Sequence, residues 1–232
     1  MRRILALLLL LATCVRPALA EVVSTRTWTD AEGIVWTETV EEFDEAPGGE
    51  RFVAAPGVDV PAIASFGPFR VLDPARAALV GETDSFSPSD FQAMLRVFPG
   101  IERLEMIDCP GTVDDTANLR LGRMIRAAGI STHVPEGGSV RSGAVELFLA
   151  GAARTADPRA EFAVHSWLDT QGYEAEDFAA DAPVNRTYLA YYREMGLTPE
   201  NAAAFYALTN SVPNEEALWL GPADIARYLP LR

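Results

Sequence analysis

The sequence contains no lysine; all 19 of its basic side chains are arginine. It has two histidines, His133 and His165, and two cysteines, Cys14 and Cys109. These scarcities remove whole mechanisms. Without lysine there is neither Schiff-base chemistry nor a Ser–Lys dyad. Two cysteines and two scattered histidines supply neither a zinc cluster nor a disulfide framework, so no metal site is expected. Basic runs are missing as well. With 33 acidic against 19 basic residues the net charge is −14, which argues against nucleic acid as a partner. No apolar stretch is long enough to span a bilayer.

What is present fits a globular protein, with 49% hydrophobic residues over 232 positions. The beginning of the chain reads separately. Arg2 and Arg3 precede an apolar run at 4–12, and Ala18-Leu19-Ala20 supplies the small residues a signal peptidase accepts. Residues 1–20 are therefore expected to be a signal peptide, and the protein to be periplasmic or secreted. Cleavage after Ala20 removes three arginines and Cys14, taking the net charge to −17 and leaving Cys109 as the single cysteine. A lipid anchor on Cys14 is the weaker reading, because Thr13 suits the preceding position poorly.

Residues 21–62 form an acidic segment. Alternation at 25–29 and 34–40 around Asp30-Ala31-Glu32-Gly33 signals a hairpin, and a Pro/Gly-rich linker follows. From 63 to 232 short β-rich runs alternate with amphipathic helices. The pattern predicts strands at 69–72, 77–81, 101–107, 130–134 and 161–165. Helices are expected from Ser87 or Ser89 to 98, at 113–128, from Ser142 or Gly143 to 150, and at 184–195, 199–208 and 222–228. Strand–helix–strand repetition at this spacing implies an α/β domain with a parallel sheet and right-handed crossovers.

The search for a base narrows to the histidines. His165 ends a strand, where ligands and catalysts of α/β sheets gather, whereas His133 lies mid-strand, where packing is the commoner role. A nucleophile suits a turn that opens a helix, because the helix dipole and free N–H groups favour developing negative charge. Ser142 stands there. The plain alternative is that Ser142, or Ser139, is a helix cap. An α/β-hydrolase elbow requires glycine two residues before and after the serine, but Val140 and Ala144 occupy those places, and 67 residues follow His165. Asp114-Asp115 reads as a dipole-stabilising helix start in preference to a metal site, and Cys109 as a buried thiol.

Together these residues resemble the ClpP/crotonase superfamily, and in particular exported ClpP-like bacterial proteins. The motifs are Asp108-Cys109-Pro110-Gly111-Thr112 before a helix, Ser142-Gly143-Ala144-Val145-Glu146-Leu147-Phe148-Leu149-Ala150-Gly151, and then Arg154, Pro158 and Val164-His165. The closing segment Leu218-Trp219-Leu220-Gly221-Pro222-Ala223-Asp224-Ile225-Ala226-Arg227-Tyr228 is also similar. The resemblance spans roughly 66–228. It implies a spiral of strand–helix units and a serine hydrolase, most plainly a peptidase, acting on a peptide or acyl substrate without a cofactor.

In that reading Ser142 is the nucleophile and His165 the base. The amides of Gly143 and of Gly111 or Thr112 form the oxyanion hole. The family's second turn glycine is Thr112 here. Its orienting acid would fall within Asn214-Glu215-Glu216, with Glu215 the choice. The resemblance also implies a homo-oligomer. Export and the lack of lysine argue against a crotonase-type acyl-CoA enzyme. The rival reading is a non-catalytic ClpP-like binding or assembly module, suggested by Tyr188, Tyr191, Tyr192 and the other aromatics of the last third. At helical spacing those three tyrosines fit a core or subunit interface better than a ligand cage.

Overall fold

The computed structural model describes the strands Glu21–Thr29 and Val35–Glu42 and all of residues 60–232. The expected signal peptide and most of the linker lie outside the described residues. β1 (Glu21–Thr29) and β2 (Val35–Glu42) pair antiparallel, with Trp28 opposite Trp36, and a bulge lies between Val22 and Ser24. This hairpin belongs to a unit of its own, spanning residues 1–50.

The second unit is an α/β domain around a mostly parallel sheet. β3 (Ala64–Phe66), β4 (Phe69–Asp73) and β5 (Arg76–Val80) form an antiparallel meander. α1 (Ser87–Val97) then leads to β6 (Arg103–Cys109), which pairs parallel with β5. α2 (Asp115–Ala127) returns the chain to β7 (Ser131–Val134). β8 (Ser139–Arg141), α3 (Ala144–Ala150), β9 (Arg154–Ala156) and β10 (Glu161–Val164) follow. α4 (Pro183–Glu194), α5 (Pro199–Thr209), β11 (Leu218–Leu220) and α6 (Pro222–Ile225) complete the domain.

Strand β6 is the branch point. Its first half pairs with β7, through Arg103↔Ser131 and Glu105↔His133, and its last residues pair with β8, through Asp108↔Ser139 and Cys109↔Val140. β7 continues to β9, whereas β8 continues to β10 and then to antiparallel β11. The strands β3, β8, β9 and β11, each three residues long, carry no alternation that a sequence reading can detect.

Local chemistry fixes the helix starts. Asp84, not a serine, receives the first N–H groups of α1, from Phe86 and Ser87 at 2.9 Å each. Asp114 caps α2 by accepting from Ala117 N at 2.9 Å, so this helix begins two residues later than its pattern suggested. All seven residues of α3 are buried, and Phe148 packs on Phe162 of β10 with ring centroids 4.9 Å apart. Tyr188, Tyr191 and Tyr192 of α4 are buried within this same chain, and Tyr188 and Tyr192 also line a cavity there.

Arginine takes a structural role here. Buried Arg154 donates to Leu149 O at 2.7 Å and to Met195 O at 2.5 Å, tying together the ends of α3 and α4. Desolvation, with Arg126 nearby, lowers its pKa to about 10. Among the described residues no helix is long and apolar enough to cross a membrane.

The packing of α2 on α4 depends on Gly122. A Cβ there would run into the Tyr191 hydroxyl, which donates to Glu146 O at 2.7 Å. Gly122→Ala therefore destabilises the domain by about 2 kcal/mol in urea unfolding, although alanine is the better helix former.

Candidate active site

Sheet register assembles the site. β6, β8 and β10 run parallel as consecutive neighbours, about 4.8 Å apart. Cys109 pairs with Val140 and Arg141 with Ala163. The turn after β6, carrying Gly111 and Thr112, therefore meets Ser142, which follows β8, and His165, which follows β10. The pairing runs on past the end of β8, because Ser142 N donates to Ala163 O at 2.9 Å. Ser142, Gly143, Gly111, Thr112 and His165 all line one cavity of about 270 Å³.

Ser142 has φ of 49°, the one positive φ among the described non-glycine residues. Its hydroxyl caps nothing: the N-cap position of α3 is Gly143, and no side chain bonds there. Ser139, the other cap candidate, lies in β8, where its hydroxyl accepts from Arg141 Nη1 at 2.7 Å. Gly111 sits against the serine at φ 142°, and a Cβ on it would come within 2.9 Å of Ser142 Cβ. Gly143 is equally confined, since a Cβ there would overlap the Thr112 methyl.

Two backbone N–H groups face this turn. Gly111 O accepts from Thr83 N at 3.0 Å, on the β5 side. In a planar trans peptide the following N–H points the opposite way, so Thr112 N–H is directed to the β8 side, where Ser142 lies. Ser142 O accepts from Val145 N at 2.9 Å along α3, which turns Gly143 N–H out of the helix start. Among the described residues neither N–H has a backbone acceptor. Gly111 itself contributes the anchoring carbonyl. Buried Asn118 braces both turns: its Nδ2 donates to Gly143 O at 2.6 Å, and its Oδ1 accepts from Thr83 Oγ1 at 3.0 Å, a hydroxyl that also lies 3.3 Å from Gly111 O.

The imidazole of His165 is half-buried, with Nδ1 2.8 Å from Ser166 O and 3.0 Å from Asn214 Nδ2. Asn214 Nδ2 also donates to Ser166 O at 2.8 Å. With Nδ1–H donated to that carbonyl, Nε2 is the basic nitrogen. The residue beside the imidazole is thus Asn214 and not Glu215. β11 runs antiparallel to β10, with Leu218 opposite Val164, so the loop before β11 returns to the end of β10. Asn214 N is held there by the Glu174 carboxylate at 3.0 Å, whereas Glu215 is exposed and does not line the cavity.

The other histidine lies elsewhere: His133 is in β7, bonded through Nδ1 to Thr155 Oγ1 at 2.7 Å. Cys109 is fully buried, donating to Leu79 O at 3.4 Å, and burial pushes its thiol far above the range in which it ionises.

Three carboxylates at the cavity were not placed there by the sequence reading, in which Asp115 figured only as part of a helix start. Glu146 is 7% exposed and accepts from Tyr192 Oη at 2.7 Å. Desolvation, reinforced by the charge of Asp115, raises its pKa to about 7 against the Tyr192 bond. Asp115 and Glu82 stand at the rim, and both are raised by desolvation, Asp115 further by Asp114 and Glu82 by Asp84. Among the described residues no group of three metal-ligating side chains is gathered.

No known family model matches the chain, and no curated protein does. Solved structures do resemble it. One is a ClpP1 variant from Listeria monocytogenes, at 17% identity over 68% of this chain and 90% of that one, with a TM-score of 0.49. Another is the 1510-N membrane protease specific for a stomatin homolog from Pyrococcus horikoshii, at 13% identity over 68% and 70%, with a TM-score of 0.45. A 1510-N variant in complex with a substrate peptide is similar at 16% identity over 68% and 72%, with a TM-score of 0.46.

Glu146 makes stability pH-dependent. A carboxyl whose folded pKa is raised stabilises the fold below the usual carboxylate value, and that contribution is lost as pH rises to about 7. Chemical denaturation from pH 4.5 to 7.5 should show Glu146→Gln losing about 3 kcal/mol less stability than the parent chain.

Proposed function

We propose that the protein is a serine hydrolase of the ClpP-like kind, cleaving a peptide or a related acyl substrate. The observation that carries this reading is the placement of Ser142 and His165 at the carboxyl ends of adjacent parallel strands, in one cavity, with two N–H groups directed at the same turn. The motif resemblance points the same way. A binding module has no use for a serine held at φ 49° with its hydroxyl free of capping.

In this mechanism Ser142 Oγ attacks the acyl carbon while His165 Nε2 takes its proton. Gly143 N–H and Thr112 N–H hold the oxyanion, and Asn118 braces the two turns that carry them, through Gly143 O and the Thr83 hydroxyl. The imidazolium keeps its Nδ1–H on Ser166 O and gives the other proton to the leaving group. The tetrahedral adduct then collapses to acyl-Ser142. Water, deprotonated by His165, attacks this ester, and the serine regains its proton as the acid product departs. Asn214 acts as a positioning residue: its Nδ2 donates to Ser166 O, the carbonyl that takes the imidazole Nδ1–H. The activity belongs outside the cytoplasm, on the strength of the charged, apolar and small-residue pattern at 1–20.

Labelling by a fluorophosphonate probe tests the chemistry. The parent chain is labelled, Ser142→Ala is not, and His165→Ala reacts about a hundredfold more slowly. Gly143→Ala, which pushes Thr112 aside, slows labelling by about tenfold or more. An unlabelled parent chain, or a Ser142→Ala variant labelled like the parent, rejects the proposal and leaves the binding module. For export, intact mass of the periplasmic fraction should give a chain starting at Glu21.

A further inference from the structure

Away from the cavity, shielded acids of this chain are paired with arginine. Arg141 Nη2 meets Asp108 at 2.9 Å, and Arg103 Nε meets Glu105 at 3.0 Å. The cavity departs from that habit, because none of the residues lining it is an arginine. Glu146 is withdrawn from water there, one helical turn beyond Ser142. Tyr192 bonds its Oε1, and no other side chain among the described residues donates to this carboxylate. Asp115 is close enough for its charge to oppose ionisation of Glu146. Glu146, desolvated in this position, is short of a counter-charge.

Beside these acids the cavity lining is aromatic. Trp167, Tyr188, Tyr192 and Tyr206 all contribute, with the rings of Trp167 and Tyr188 parallel to within 6° at 6.4 Å and those of Tyr188 and Tyr206 inclined at 28° with centroids 5.8 Å apart. Aromatic rings beside a carboxylate are the surroundings in which proteins hold organic cations, since ring quadrupole and charge act in the same direction. A neutral aliphatic group would fill the space and leave Glu146 buried without compensation.

We infer that the cavity binds a cationic side chain, a guanidinium or an ammonium, with Glu146 as its counter-charge and the aromatic wall around it. On the hydrolase reading, on which its place in the reaction rests, this cation belongs to the acyl residue that Ser142 attacks. Asp115 and Glu82 at the rim draw it in, and Glu146 pairs with it at the bottom. Binding itself does not require that any bond be cleaved.

Two measurements separate the inferences. In the first, benzamidine and benzyl alcohol, a cation and a neutral ring of similar size, are titrated into the protein by calorimetry. Benzamidine is expected to bind at least about tenfold more tightly, and Glu146→Gln and Asp115→Asn each to narrow that ratio, Glu146→Gln about fivefold or more. Equal affinities, or a ratio unchanged in both variants, overturn the inference.

In the second, diphenyl phosphonates carrying an arginine-like or a leucine-like side chain compete for Ser142. The arginine-like probe is expected to react about tenfold faster or more. Labelling without that preference also overturns the inference, while leaving the hydrolase standing. Selective benzamidine binding with no labelling by any phosphonate rejects the hydrolase and retains the cation site.

Discussion

β8 is three residues long, and its position between β6 and β10 decides everything at the candidate site. A strand so short has little stability of its own, and it is held by parallel neighbours on both edges. Slipping it by one residue would turn Val140 out of the core and carry Ser142 away from the Gly111 turn. The register is secured on both sides, through Arg141 on Asp108 and Ser142 N on Ala163 O. The Thr83–Asn118–Gly143 hydrogen bonds then fix the loops that emerge from it, so the geometry of the turn is inherited from the sheet.

The parts legible in the sequence were those governed by local pattern. Long helices and the four- to seven-residue strands of the α/β domain follow from periodicity, and the strand-end histidine and the serine at a helix start follow from the same elements. The three-residue strands β3, β8, β9 and β11 exist only because a partner pairs with them, and no local pattern records this. Glu215 against Asn214 is the instructive case. Counting along the chain reaches both residues, but the choice depends on how the loop before β11 is anchored, and Glu174, forty residues earlier, anchors it. The place of Glu146 at the cavity was invisible for a related reason. Glu146 reads as an ordinary polar residue early in a helix, and only the arrival of α4 over that face buries it.

A chain without lysine uses the guanidinium in places where an ammonium would serve badly. Arg154 bonds two helix-end carbonyls from one planar group, and Arg126 Nη1 adds a bond to Gly151 O at 2.7 Å. These arginines are committed to backbone and to Asp108 and Glu105, away from the cavity. The guanidinium charge is therefore placed where it supports the frame, and no arginine lines the cavity beside its acids.

The left-handed backbone at Ser142 bears on how the chain has been shaped. For a residue with a Cβ, that conformation lies about 1–2 kcal/mol above the right-handed alternative, and glycine escapes most of the difference. A glycine at 142 would thus give the more comfortable fold, and glycine is already plentiful in the adjoining turns. That a side chain bearing a hydroxyl stands there instead means the position works against the relaxation of the surrounding structure. Stability and reactivity pull in opposite directions at this single residue, and the sequence has settled on the side of reactivity.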